Sequence, residues 1–139
     1  MGRKLARASL MKCLYMMEVT QDFSQNQLDL FFENQELKAD EIEYVKKCYD
    51  IFLTQKENID DLILQFLEGW SITRLAKIDL SILRIAVCEM RFIKDVPIEV
   101  TINEAINISK QYSTEDSYRF INGVLGGIAK RLQEDSLME

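Results

Sequence analysis

The sequence predicts an all-α protein, about seven helices in two stacked bundles. Three observations carry this. Apolar residues recur at helical three- and four-residue spacing through most of the chain. Punctuation is sparse: Pro97 is the one proline, and three of the five glycines, Gly123, Gly126 and Gly127, crowd near the end. A chain of 139 residues with 47% hydrophobic content can also bury a core without disulfides or metals. One domain over residues 1–139 is therefore expected, with helical halves at about 1–70 and 71–139.

The first helix runs from Arg3 to about Gln21, with Ala6, Leu10, Cys13, Leu14 and Met17 on its core face. At about 100° per residue, Lys4, Arg7, Met11 and Tyr15 form a second, adjoining stripe. That stripe reads either as a solvated face with a half-buried tyrosine or as two cations and a ring in line for a ligand. A short helix follows at Leu28–Glu33. Asp40 opens a longer one through Ile42, Val45, Tyr49 and Phe52, continuing after Asn58 to Leu67, with Gly69 as its stop. Trp70–Leu75 reads as a connector between the halves, with Ser71 able to cap a short turn.

Ile78–Ile93 is apolar nearly all round and belongs in the middle of a bundle. Glu89 falls among its apolar residues and should be ion-paired or hydrogen-bonded if buried. No second acid or base lies at a catalytic offset from it. Pro97 closes the next loop, and Ile98, Ile102, Ala105, Ser109 and Tyr112 form the seam of another helix, with Ile106 beside it. The last helix follows a Ser113-x-x-Asp116 capping pattern and buries Ile121, Val124, Leu125, Ile128 and Leu132. Asp116, Phe120, Gly123 and Gly127 share a neighbouring face. Each interior glycine costs about 1 kcal/mol relative to alanine, so a close approach is expected there, by another helix or by a stacked base.

Composition excludes much chemistry. With no histidine, the commonest general base and zinc ligand are missing. Cys13, Cys48 and Cys88 fit neither zinc nor redox spacing and read as small buried hydrophobes in a reducing compartment. Gly123–Gly127 follows no strand, so it is not a phosphate loop. An enzyme is not expected, nor are a metal or cofactor. The N-terminus lacks the apolar region of a signal peptide and no stretch approaches membrane-span length, so a cytoplasmic protein is expected, without membrane contact. Net charge is −6, yet residues 1–13 carry Arg3, Lys4, Arg7 and Lys12 and no acid, +4 against −10 for the rest. Such a basic arm is a candidate phosphate contact.

Several motifs occur in order: Arg3-Lys-Leu-Ala-Arg7 and Leu14-Tyr15; Ile82-Leu-Arg-Ile-Ala86 with Glu89; Val96-Pro97; Ile102-Asn-Glu-Ala105; and Glu115 to Leu125, EDSYRFINGVL. Together they resemble the NusB family of bacterial transcription antitermination factors, over essentially the whole chain. The resemblance implies two roughly perpendicular helical bundles that bind the boxA element of nascent RNA with the ribosomal protein NusE. Those assemblies help RNA polymerase through terminators, especially in rRNA operons. Carried over by motif, the RNA-facing residues are Arg3, Lys4, Arg7, Tyr15, Asp116 and Phe120, and Asp79 is the protein-partner contact. Leu5 and Lys4 stand where the family is often basic or arginine, in a denser run of arginines, which would weaken RNA affinity or shift reliance onto the ribosomal partner. Gly126 replaces the usual aspartate.

On this reading Arg7→Glu or Phe120→Ala weakens boxA-type binding without unfolding the chain. Two alternatives stay open: a purely protein-binding helical scaffold, and the NusB-like domain of a larger RNA-modifying protein, against which the end of the chain at Glu139 counts. Oligomeric state is not set by the sequence, and a homodimer stays open.

Overall fold

The computed structural model describes residues 2–69 and 71–137. Among these the chain is helical with no strand: α1 (Gly2–Thr20), α2 (Gln25–Glu33), α3 (Ala39–Leu64), a 3₁₀ turn (Ile72–Arg74), α4 (Lys77–Phe92), α5 (Ile98–Tyr112) and α6 (Glu115–Leu137). Six α-helices and one 3₁₀ turn match the expected all-helical class. One contiguous core draws on all six helices. No helix among the described residues is long and apolar enough to cross a membrane.

Local chemistry explains the boundaries. The first helix stops where Gln21 takes a left-handed conformation (φ 56°) and the Asp22 N–H donates to the Met17 carbonyl at 3.1 Å, a six-to-one closure. A Glu41 carboxylate oxygen accepts from the Lys38 N–H at 2.7 Å and starts α3. That helix runs unbroken past Asn58, whose side chain bonds Gln55 on the surface. It ends at Leu64, before Gly69, because the reversal is made by Glu68 (φ 49°) together with Gly69 (φ 92°). Trp70 lies outside the described residues, so the expected connector is seen from Ser71 onward.

The fourth helix is the axis of the molecule, packing on α1, α3, α5 and α6. Every residue from Asp79 to Met90 is buried, as its all-round apolarity requires. Three charged residues, Asp79, Arg84 and Glu89, interrupt it at five-residue intervals. Each step turns about 140° around the axis, so the three reach different neighbours. Arg84, 2% exposed, donates to Asp60 of α3 at 2.9 Å and to Glu18 of α1 at 2.6 Å. A buried guanidinium would be costly alone; here it ties three helices. Burial works against Glu18 ionising, but the bonds and charge of Arg84 outweigh it and hold the carboxyl below its ordinary range.

Two expectations are corrected. The buried seam of α5 is Thr101, Ala105, Ile108 and Ser109, with Ile98, Ile102, Ile106 and Tyr112 only half-buried against the core. Thr101 turns inward because its hydroxyl donates to Glu89 at 2.9 Å. The cap of α6 is Thr114, whose Oγ1 accepts from the Ser117 N–H at 3.2 Å, one residue later than Ser113, whose hydroxyl is drawn to Asp79.

Candidate nucleic-acid interface

The first helix does not present its basic stripe to solvent as a unit. Arg7 is 6% exposed, and its Nε and Nη2 donate to the two oxygens of Glu89 at 2.5 and 3.1 Å. Glu89 is wholly buried and also accepts from the Tyr44 and Thr101 hydroxyls. Burial lowers the Arg7 pKa, but Glu89 outweighs it and holds the guanidinium above its usual value. Burial, with the charge of Glu89, pushes the Tyr44 phenol up, so it stays a neutral donor. Glu89 therefore sits in the expected structural ion pair. The expectation of Arg7 as an open phosphate contact is corrected: a side chain flanked by Met11 and Ala6, both buried, turns inward with them.

Arg3 is partly exposed, bonds Asp95 in the α4–α5 loop at 3.0 Å, and lies over the Tyr44 ring at 5.2 Å. Lys4 is exposed, and Tyr15 is 37% exposed. Asp79 is 6% exposed, and both its oxygens accept hydroxyls, from Ser113 at 2.7 Å and Ser117 at 2.8 Å. It therefore holds the α5–α6 corner against the start of α4. The expected role of Asp79 as a protein-partner contact thus falls on a side chain already bonded within the corner.

Phe120 is half-buried between two shallow grooves. One, of about 280 Å³, is walled by Arg74, Leu75, Ala76, Asp79, Asp116 and Ser117. The other, of about 570 Å³, lies among Phe66, Glu68, Arg119 and Gly123. Gly127 explains part of the glycine pattern, since a Cβ there would meet the Phe66 ring at 2.7 Å. Gly123 faces open space, which leaves room beside Phe120.

Asp116 and Phe120 are thus brought together on one wall, near Asp79. Arg7 is not on it: it meets α4 at Glu89, ten residues and about 15 Å further along the axis. Four residues of this corner escaped the sequence reading as site candidates: Lys110, Tyr112, Tyr118 and Arg119. Lys12 stands over the Tyr112 ring at 5.0 Å, Lys110 over Tyr118 at 5.0 Å, and Arg119 over Tyr118 at 6.0 Å. A Lys-x-Tyr and a Tyr-Arg flanking the Ser113–Thr114 turn were the available signal. Among the described residues no cluster of His, Cys, Asp and Glu could hold a metal.

Comparison with known proteins gives a consistent picture. The NusB family model matches residues 4–130. The transcription antitermination protein NusB of Finegoldia magna is 36% identical over 137 residues, 99% of this chain and 100% of that protein. A crystal structure of Thermotoga maritima NusB superposes with a TM-score of 0.85 at 37% identity, covering 94% of this chain and 92% of that one. A complex of antitermination factors NusB and NusE with double-stranded RNA contains a chain matching at TM-score 0.80 and 32% identity, over 93% of this chain and 96% of that one. Shared sequence, shared length and shared helical packing place the chain in one group: it belongs to the NusB family.

Proposed function

We propose that this chain is a cytoplasmic, non-enzymatic transcription antitermination factor that binds boxA-type single-stranded RNA together with the ribosomal protein NusE, within the RNA polymerase complex that transcribes rRNA operons. The match to a NusB chain in complex with NusE and double-stranded RNA supports the RNA and NusE part of this reading. The surface supports it. Phe120 offers a ring between two grooves, Tyr15 is exposed, and Lys4 is a surface cation. Rings of this kind stack only on unpaired bases, which favours a single strand over a duplex.

The roles divide accordingly. Lys4 and, after leaving Asp95, Arg3 contact phosphates. Tyr15 and Phe120 stack on bases, and exposed Asp116 accepts from a base edge. Arg7 acts indirectly, fixing the angle of α1 through Glu89. Asp79 shapes the α5–α6 corner against which the protein partner docks. The test is transcription in vitro across a terminator, with and without a boxA element upstream. Read-through that rises only when boxA, NusE and this chain are all present is expected; read-through indifferent to boxA sinks the reading.

A further inference from the structure

Of the arm expected to supply phosphate contacts, Arg7 is spent on buried Glu89, while Arg3 makes a surface pair with Asp95. Yet around the α5–α6 turn, on the flank of α6 away from Asp116 and Phe120, other cations are poised. Lys12 and Lys110 are exposed, and neither has a carboxylate within 4.0 Å among the described residues. Each rests on a half-buried tyrosine ring, Tyr112 or Tyr118, 5.0 Å from its centre. Three elements meet here: Lys12 from α1, Lys110 and Tyr112 from the last turn of α5, and Tyr118 from the first turns of α6. The Asp79 bonds to Ser113 and Ser117 fix the turn between the two tyrosines, so the rings are held by a buried junction and not by a loose loop.

We infer that the Lys12–Tyr112 and Lys110–Tyr118 pairs are a second RNA-contacting element, each pair receiving one unpaired base on the ring and one backbone phosphate on the ammonium. The inference rests on the RNA-binding reading above. An ammonium over a ring occupies the face that a base would use. When a base stacks, the ammonium gives up the ring and swings to the phosphate beside it, exchanging one favourable electrostatic contact for another. The half-buried tyrosine loses little freedom on binding, and the lysine is already near its target. On a chain of net charge −6, such local pairing also concentrates positive potential where the strand must lie.

The test is fluorescence anisotropy with a short labelled boxA-type single-stranded RNA and a scrambled copy, across a range of KCl, with NusE present. Lys12→Gln and Lys110→Gln should each make the slope of log K against log salt shallower by about 0.7, one phosphate lost. Tyr112→Leu and Tyr118→Leu should weaken binding by roughly 5- to 150-fold with the slope unchanged, the worth of one stacked base, whereas Tyr112→Phe and Tyr118→Phe should bind as the parent does. Urea midpoints show which variants are folded, and the surface lysine variants carry the test if a leucine variant unfolds. Parent protein that binds neither RNA overturns the RNA-binding reading itself. Parent protein that binds boxA while the lysine variants keep its affinity and slope overturns this element alone. Variants that keep RNA but lose NusE would assign the corner to the protein partner, against the inference.

Discussion

Replacing Arg7 with alanine leaves Glu89 with no cation in a site where it has no access to water. Removing one member of a buried pair costs about 3–5 kcal/mol, mostly the penalty of the charge left behind. The remaining Tyr44 and Thr101 hydroxyls soften this toward the lower end. Against a total stability of about 5–15 kcal/mol, the loss is a large fraction. In urea, followed by far-UV circular dichroism, it moves the midpoint down by about 2 M for a slope near 2 kcal/mol/M. The thermal midpoint falls by about 6–20 °C. Arg7→Glu is worse, because it sets two carboxylates against each other, so the sequence-based expectation that this change spares the fold does not hold. Arg7→Met with Glu89→Gln removes both charges but keeps volume and an acceptor oxygen for the two hydroxyls, and should recover more than half of the loss. That double variant should also retain RNA binding, since Arg7 is no direct contact. An Arg7→Ala shift below about 1 kcal/mol would refute the buried-pair reasoning.

Other outcomes follow from single contacts. Gly123→Ala should stabilise by about 0.4–1 kcal/mol, because the added methyl meets nothing, whereas Gly127→Ala should lose that gain or reverse it by pushing Phe66 from its place; chemical denaturation of both checks the contrast. Thr114→Ala should cost about 1 kcal/mol through loss of the α6 cap, read in the same assay. The Glu18 carboxyl, held low by Arg84, contributes stability that is complete above its unfolded pKa of about 4.3 and is lost as pH falls through its lower folded value. Thermal melts from pH 6 downward should therefore fall less steeply below about pH 4.5 in Glu18→Gln than in the parent.

Much of the fold was legible because periodicity is a local signal. The apolar girdle of α4 declared itself central, and four of the five expected stripe residues of α6 are buried, Leu132 being half-buried and Ala129 taking the fifth place. The need of Glu89 for a partner was legible too, but not which partner, since Arg7 lies 82 positions away and was read as facing outward. Arg84 illustrates the same limit: its bonds to Glu18 and Asp60 join three helices, and no spacing within one helix encodes them. Ser113 misled for a related reason, since a serine that looks like a cap can be claimed by a carboxylate across the junction, here Asp79, leaving Thr114 to cap. At the site, Asp116 and Phe120 were legible as a shared helix face. The tyrosine–lysine corner was not, because its members come from three elements that only the packed turn brings together.

Recognition of boxA is read out by titrating labelled boxA RNA and its scrambled copy with the folded protein, alone and with NusE, at one fixed salt concentration. Tighter binding of boxA than of the scrambled strand, increased further by NusE, is the predicted result. Equal affinities for the two strands, unchanged by NusE, would contradict it.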